Sequence, residues 1–353
     1  MPLPTPWSAI LPDARRYPSP HNSQPIKVRV IDQAVARVYY DLDLGLPAEN
    51  FGIPFAHVCA GVFLETLTVA AAGHGYRAAI QIVDQEMDFG ATSRLHPLAL
   101  VTLSPEAAEH SSTENLTALR TRRTSRRPYQ NRLVDSAVIE RVTALAAAAG
   151  QSFDTTSDQA TVDTIIRVNQ ETLFDDLQND AVHEEILTWI RTSKSRAATT
   201  GDGLSAETML MPGPILGFAM RHREIWQWPL IGALIRGIYL RTMRGVRQLG
   251  WLTGDFGGPA DYMRAGRAFM RIWLAFERAG VSLHPFGTVI TNPKSHHNFV
   301  TTVGADEPPG TLVWMLFRFG YSKTPPLAHR RPLESMLIEH DPGPLPDERM
   351  APL

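Results

Sequence analysis

The stretch Arg122-Arg123-Thr124-Ser125-Arg126-Arg127-Pro128-Tyr129 places four arginines, two hydroxyl side chains and one aromatic ring within eight residues. It follows a polar run at 111–115 and precedes a segment with the pattern of an amphipathic helix. Guanidinium groups form planar, paired hydrogen bonds with phosphate, and nearby hydroxyls add donors. The stretch is therefore a candidate phosphate site, while a solvated basic run or a nuclear-localisation tract remains an alternative.

The composition is that of a chain that can bury a large core. Hydrophobic residues make up 44% of the chain and charged residues 20%, so disorder is not expected. The length of 353 residues predicts two domains or one large duplicated domain. The formal net charge of -2 at pH 7 disfavours a general nucleic-acid binder. Cys59 is the single cysteine, so no disulfide can form within the chain. The first residues lack a basic segment followed by an apolar one, so we expect no signal peptide and a cytoplasmic location.

A second polar motif lies ahead of the first predicted strands. Residues 17–25 read Tyr-Pro-Ser-Pro-His-Asn-Ser-Gln-Pro. Prolines restrict this backbone, and the Ser, His, Asn and Gln side chains offer compact donors and acceptors. The loop can present polar groups to a planar heterocycle, although an ordinary turn has the same composition. Residues 26–32 and 35–41 then alternate apolar and polar side chains, which predicts an antiparallel pair of strands.

Two predicted buried helices indicate an internal repeat. Residues 57–76 and 265–280 both have apolar side chains around most of the helix, and predicted strands follow each of them. At an offset of 205 residues, Ala60-Gly61 corresponds to Ala265-Gly266, Ala70 to Ala275 and Gly75 to Gly280. We therefore predict an α+β fold with halves at 1–110 and 111–353. Each half is expected to hold a long central helix and an antiparallel or mixed sheet.

The second half contains further helices and an insertion. Apolar spacing predicts helices at 135–149, 161–177 and 183–193, and a break at 199–203. Residues 209–250 carry six arginines against one glutamate, interleaved with apolar and aromatic side chains, and their uncharged runs are too short to span a membrane. We expect a helical lid over a site, inserted at about 204–258. An amphipathic helix at a membrane surface is the alternative.

Several of these motifs together resemble the nitroreductase superfamily, and the duplicated layout resembles its Acg-like branch of fused pseudo-dimers. Residues 123–129 match its arginine–serine signature, 18–25 match its Pro-Ser-x-x-Asn-x-Gln-Pro loop, and 330–333 match its closing basic motif. Ile26 stands where the family usually has tryptophan. The resemblance implies an α+β fold with FMN held between the halves.

The same resemblance implies the site residues. Phosphate and ribityl contacts fall to Arg123, Ser125 and Arg127, with Arg330 and Arg331 as a second phosphate contact. Ser19, His21, Asn22 and Gln24 would reach the cofactor from the opposite half. Pro285, Phe286 and Gly287 would lie near the flavin N5 edge. In this register Arg122 and Arg126 are expected at the surface.

The resemblance further implies an FMN-dependent oxidoreductase that passes a hydride from NADPH or NADH to an electron-poor small molecule, such as a nitroarene, a quinone or an activated alkene. Flavin chemistry requires no protein nucleophile, so we expect no catalytic side chain. A flavin-sequestering protein of the same fold and a scaffold that binds another anion are the alternatives. A monomeric pseudo-dimer or a homodimer is expected, without a transmembrane segment.

The adjacent histidines His296 and His297 do not predict a metal site. We place them on a strand, where neighbouring side chains point to opposite faces of a sheet. No cysteine or carboxylate lies nearby at the spacing of a metal site, so we expect no metal. Cys59 is expected to be buried and unreactive.

Overall fold

The computed structural model describes residues 3–48, 53–340, 342 and 349–353. The helices are α1 (Trp7–Ala14), α2 (Phe55–Gly73), α3 (His110–Thr121), α4 (Ser136–Ala148), α5 (Gln159–Asp176), α6 (Asp180–Trp189), α7 (Lys194–Thr200), α8 (Gly213–Arg221), α9 (Pro229–Thr242), α10 (Pro259–Arg278), α11 (Gly287–Thr291) and α12 (Pro293–Val303). The strands are β1 (Ile26–Val30), β2 (Val35–Asp41), β3 (Tyr76–Val83), β4 (Leu95–Pro105), β5 (Gln151–Thr156), β6 (Ile190–Arg191), β7 (Leu204–Ser205), β8 (Gln248–Asp255), β9 (Ser282–Pro285), β10 (Thr311–Gly320) and β11 (Met350–Pro352).

The first large sheet is built mainly from the first third of the chain. Its strand order is β1-β2-β4-β3-β11, and all neighbouring strands are antiparallel. The predicted hairpin is confirmed, since Ile26 pairs with Tyr40 and Val30 with Ala36. β11 comes from the far end of the chain and pairs Met350 with Val83 at the sheet edge. The predicted first half therefore receives one strand from the second.

The second large sheet has the order β5-β8-β10-β9 and is also antiparallel. The prediction of a helical lid that extends to residue 258 is wrong in its last part, because Gln248–Asp255 is strand β8. Its first five residues are buried between β5 and β10, so this apolar run completes a sheet instead of a lid. Both sheets with their helices confirm the predicted α+β class with antiparallel strands.

The two predicted central helices are present and cross each other. α2 is buried on nearly all sides, and α10 buries a broad apolar face. At the crossing, a methyl group on Gly61 would overlap the carbonyl of Met263, and a methyl group on Gly266 would overlap the carbonyl of Val58. Backbone therefore touches backbone at this point, which only glycine permits.

Some of the remaining helices agree with the sequence prediction and others differ from it. The predicted helices at 135–149 and 161–177 are confirmed as α4 and α5. The helix predicted at 183–193 corresponds to α6, but it ends at Trp189 because Ile190–Arg191 is strand β6. The polar run at 111–115 lies inside α3. The second central helix, α10, begins at Pro259, six residues before its predicted start at residue 265. Proline suits the first turn of a helix, where its missing N–H is not needed. The strand placement of His296 and His297 is wrong, since both lie in α12.

The insertion between β7 and β8 forms α8 and α9 with a small apolar cluster of its own against α5 and α6, which includes Phe174 and Trp226. Among the described residues, α2 is the one helix long and apolar enough to cross a membrane. Since 83% of that apolar window is buried inside the protein, α2 has the burial of a core helix.

Candidate functional site

The arginine stretch 122–129 lies beside strand β9. Thr124 forms a parallel bridge with Leu283, and the Ser125 amide donates to the Leu283 carbonyl at 3.0 Å. From β10, the buried Arg318 donates to the Ser125 carbonyl at 3.1 Å, and its guanidinium lies over the Tyr129 ring. These contacts fix the stretch next to the segment that contains Pro285, one of the residues expected near the flavin.

The predicted phosphate contacts on this stretch have protein partners. Ser125 is fully buried, and its hydroxyl bonds the Ser322 hydroxyl at 2.8 Å. Arg123 donates to the Pro325 carbonyl at 2.6 Å. By contrast, Nε of Arg127 is buried without a partner among the described residues. Of the three residues, Arg127 keeps the clearest unused donor.

Arg122 is not a surface residue, so this part of the sequence prediction is wrong. Its side chain is 6% exposed and its guanidinium lies 4.5 Å from the centre of the Trp273 ring. Nη2 donates to the Arg16 carbonyl, whereas Nε and Nη1 are buried with no partner in the described chain. Burial and the nearby charge of Arg330 lower the pKa of Arg122 to about 9, against a smaller opposing effect of Glu277. Arg122 is thus a desolvated cation with donors to spare.

Arg126 is half-buried, so its expected surface position is only partly correct. Burial, with the positive charge of Arg318, lowers the pKa of its guanidinium to about 10. The same two arginines act on His284 at the end of β9. Burial and these charges hold the pKa of His284 well below its usual value, so its imidazole is neutral.

Arg330 joins the arginine stretch to the polar loop of the first half. It donates to Oδ1 of Asn22 at 2.7 Å and to the Arg16 carbonyl at 3.1 Å. The Arg16 carbonyl therefore accepts from both Arg330 and Arg122. Nε of Arg330 is buried without a partner within the described residues, and burial lowers the pKa of Arg330 to about 10. Two cations that share one neutral acceptor and keep unused donors are a candidate anion site.

The polar loop adopts a strained backbone. His21, Asn22 and Gln24 have φ angles of 48°, 55° and 54°, in the left-handed region that disfavours side chains. The Ser19 hydroxyl accepts from the Gln24 amide at 3.0 Å and helps to hold this shape. Asn22 and Gln24 are nearly buried. Asn22 contacts Arg330 and Gln24 contacts Arg331, so the structure brings the predicted loop and the predicted arginine pair together.

The amide side chains of this loop already have protein partners. Asn22 Nδ2 donates to the Gly203 carbonyl at 3.3 Å, and Gln24 Nε2 donates to the Gly201 carbonyl at 2.9 Å. Gln24 Oε1 accepts from the Arg331 backbone amide at 3.0 Å. The segment 201–203 thus covers the side chains that were expected to face a flavin ring.

Asp202 holds this cover in place, a role that sequence reasoning missed. Its carboxylate pairs with Arg191 at 2.7 Å and with Arg331, and the side chains of Asp202 and Arg191 are both buried. Burial raises the pKa of Asp202, but hydrogen bonds from Arg331, Thr200 and Arg191 outweigh it and leave the pKa below its usual range. From the sequence, Gly-Asp-Gly at 201–203 predicted only a break between helices. A carboxylate between two glycines could also have been read as a candidate ion-pair partner for an arginine.

The stretch after β9 contributes backbone. Phe286 is 2% exposed and its amide donates to the Leu316 carbonyl at 2.8 Å, which ties it to β10. Gly287 begins α11, and Pro285 and Gly287 are partly exposed. All three follow Leu283, the β9 residue that contacts the arginine stretch, by two to four residues.

A cavity of about 340 Å³ adjoins the cover. His329 lines it, and its carbonyl accepts from Asn22 at 3.1 Å, so the cavity borders the loop and Arg330 cluster. Its other walls come from the chain that leads into the insertion: Thr192, Ser193, Lys194, Ala197, Ser205, Ala206, Glu207, Leu210, Met211, Pro212 and Gly213.

Other reactive side chains lie apart from this cluster. Within the described ranges, no group of three or more His, Cys, Asp or Glu is placed to hold a metal ion. His296 bonds Glu307 at 2.8 Å and the Ile290 carbonyl at 3.0 Å, which gives it a role within the fold. Cys59 is buried in α2, and burial raises the pKa of its thiol.

The sequence resemblance implies FMN, and the buried donors can be compared with the groups that this cofactor would present. Unused N–H groups of Arg122, Arg127 and Arg330 suit the oxygens of a phosphate monoester. These donors therefore suit the phosphate end of FMN in their chemistry, although none of the three arginines lines the cavity of about 340 Å³. The ring end does not yet fit, because segment 201–203 occupies Asn22 and Gln24.

No protein-family model and no curated protein matches the sequence. Solved structures do match. An FMN- and NADPH-dependent nitroreductase from Sphigopyxis sp. strain HMH has 11% identity and a TM-score of 0.38, covering 64% of this chain and 99% of its own. A nitroreductase with bound FMN from Bacteroides fragilis has 13% identity and a TM-score of 0.37, covering 62% and 94%. An iodotyrosine deiodinase bound to FMN and 3-iodo-L-tyrosine has 14% identity and a TM-score of 0.36, covering 62% and 95%. The TM-scores of these three matches are all below 0.5, so the case for the function of this chain rests on its own side chains.

Proposed function

We propose that this protein binds FMN and serves as an oxidoreductase, which takes electrons from NADPH or NADH and passes them to an electron-poor small molecule. Nitroarenes, quinones and activated alkenes are the expected acceptors. The observation that supports this best is the pair Arg122 and Arg330, which share the Arg16 carbonyl and keep buried donors unused. When bound, FMN supplies the redox chemistry, because its ring accepts a hydride and releases electrons singly or in pairs.

The residues of this chain would bind and orient the cofactor. Arg122 and Arg330 would neutralise the phosphate, with Arg123, Ser125, Arg127 and Arg331 around them. The backbone of Pro285, Phe286 and Gly287 would border the flavin ring. The neutral His284 beside them adds no further positive charge to a site that is already rich in arginine.

A second candidate function has a specific observation in its favour. Because Gly201 and Gly203 occupy the amides of Gln24 and Asn22, the cover leaves these groups unavailable to a flavin ring. A protein that binds FMN and shields it, with little reductase activity, matches this arrangement. In that case the cover at 201–203, rather than α8 or α9, is the part that restricts access.

One experiment separates the two functions. The purified protein is saturated with FMN, and its absorbance is followed after NADPH is added without oxygen. Bleaching of the flavin followed by recovery with a nitroarene or quinone supports the oxidoreductase. Bound flavin that NADPH does not reduce supports the shielding protein. Failure to take up FMN contradicts both and leaves the anion site to another ligand.

We further propose that the chain is a fused pseudo-dimer with one FMN per chain, made of halves 1–110 and 111–353, and that it works in the cytoplasm. The reciprocal contact of Gly61 and Gly266 supports the duplication, since 205 residues separate each glycine and each contacted carbonyl from its counterpart. Light scattering with flavin titration tests this layout. One FMN per chain in a monomer agrees with it, and one FMN per two chains contradicts it.

A further inference from the structure

The insertion formed by α8 and α9 exposes an unusual amount of apolar surface. Of ten large hydrophobic side chains exposed in the described chain, seven lie in this insertion. Leu230 is 88% exposed and Trp228 is 57% exposed. The others are Ile215, Phe218, Leu234, Ile238 and Leu240. Scattered exposed hydrophobics need no explanation, but such a concentration marks a contact surface.

These side chains lie on a defined face of α9. Leu230, Leu234 and Ile238 follow each other at intervals of four, which places them on one side of the helix. The opposite side packs on the protein, where Tyr239 bonds Asn169 and Ile235 joins the cluster that contains Phe174. The outward face is therefore presented by a helix that is fixed from behind.

The charges of the insertion itself are almost all positive, and one of its arginines, Arg223, is paired with Asp180 of α6. Residues 209–250 carry six arginines and one acidic residue, Glu224. Arg241 lies three residues after Ile238, and Arg221 lies three residues after Phe218, and both arginines are exposed. Each helix thus ends its exposed apolar series with an arginine. A second copy of this face would carry the same positive charges, which disfavours self-association through it.

We propose that α8 and α9 dock on the surface of an anionic lipid bilayer. The aliphatic side chains would enter the boundary between headgroups and acyl chains, Trp228 would lie at headgroup depth, and the arginines would pair with lipid phosphates. α9 has 14 residues, about 21 Å of helix, so it would lie in the interface and not span the membrane. The proposal does not depend on the flavin chemistry.

Vesicle sedimentation tests the surface directly. The full chain should sediment with vesicles of phosphatidylglycerol and phosphatidylcholine in equal parts, and much less with pure phosphatidylcholine or in high salt. Leu230→Glu with Leu234→Glu should lower the bound fraction about tenfold or more, because two carboxylates replace the most exposed apolar groups. Leu133→Glu is the matched control, since Leu133 is 48% exposed outside the insertion. It should bind as the wild type does.

Trp228 provides a second measurement. The other six tryptophans are at most 8% exposed, so Trp228 is the one that lipid can reach. Anionic vesicles with brominated acyl chains should quench the fluorescence of the wild-type protein, and Trp228→Phe should lose that quenching while still sedimenting. Absence of wild-type binding, or equal binding by the double glutamate variant, would overturn the proposal. So would a concentration-dependent dimer that the glutamates abolish while vesicles have no effect.

Discussion

Gly61 and Gly266 make the same contact in opposite directions. Gly61 faces the carbonyl of Met263, which lies three residues before Gly266, and Gly266 faces the carbonyl of Val58, three residues before Gly61. A twofold relation between α2 and α10 produces this exchange of roles. The offset of 205 residues found in the sequence separates Gly61 from Gly266, and it also separates the two residues whose carbonyls they contact.

Substitution at this crossing should destabilise the protein. Gly61→Ala and Gly266→Ala each place a methyl group against a backbone carbonyl, so the central helices must separate, at a cost of about 1–3 kcal/mol or more. Chemical denaturation measures the free energy of unfolding. Gly237→Ala is the control, because no atom lies within 4 Å of the added methyl group and the site is in helix α9. The control should be neutral or slightly stabilising.

Arg122 and Arg330 should control FMN affinity. Arg122→Met and Arg330→Met each remove charged donors from the phosphate and should weaken FMN binding by about 1.5–3 kcal/mol, or about 10- to 150-fold. Quenching of flavin fluorescence during titration gives the dissociation constant. Arg141→Met, at an exposed position on α4, is the control. Unchanged affinity in both site variants would contradict the proposed phosphate role.

The same Arg122→Met change should not reduce the stability of the flavin-free protein. Arg122 is a buried cation with two unused nitrogens, and methionine keeps an apolar side chain over the Trp273 ring. We expect equal or higher free energy of unfolding without FMN, measured in the same denaturant series. A large loss of stability would show that Arg122 serves the fold itself and not a ligand.

Asp202→Asn should loosen the cover at 201–203. The change weakens two ion pairs, to Arg191 and Arg331, at a buried position. Hydrogen exchange at 200–206 should accelerate about tenfold or more, because local opening costs less free energy. If the cover limits access, reduction of bound FMN by NADPH should also speed up. Glu207→Gln, exposed in the same segment, should change neither rate.

His57 should make stability fall in acid. Burial lowers the pKa of His57 to about 4 from an ordinary 6.5, with partial compensation by the Gln85 carbonyl. The folded protein therefore binds fewer protons than the unfolded chain between these values. The stability present above pH 6.5 is lost as pH falls toward 4, by about 3 kcal/mol for this group. His57→Gln should reduce the loss measured by denaturation from pH 7 to 4, and the exposed His110→Gln should not.

Periodicity in the sequence predicted the elements whose burial follows a simple pattern. The β1–β2 hairpin and the helices α2, α4 and α5 were predicted within a few residues because each alternates or repeats apolar side chains. The end of the insertion was harder to predict, since the run Leu-Gly-Trp-Leu at 249–252 suits a buried strand as well as a helix. Only pairing with β5 and β10, which are distant in sequence, decides between the two.

Sequence motifs identified the segments of the candidate site, but they did not identify which arginines are buried in it. The loop at 19–24 and the pair Arg330-Arg331 were expected to meet, and they do. The burial of Arg122 depends on Trp273 and the Arg16 carbonyl, neither of which is near it in sequence. Likewise, Arg318 was overlooked because a single arginine in an apolar strand has no motif, although a charge at such a position signals a specific partner.

The position of β11 has a consequence for how the molecule is made on the ribosome. β11 completes the edge of the first sheet, yet it is translated after the whole of the second sheet. The growing chain must therefore keep the edge of β3 open while several hundred ångströms of polypeptide at full extension emerge. Until then, the edge of β3 exposes unpaired backbone groups with which other strands of the growing chain can pair.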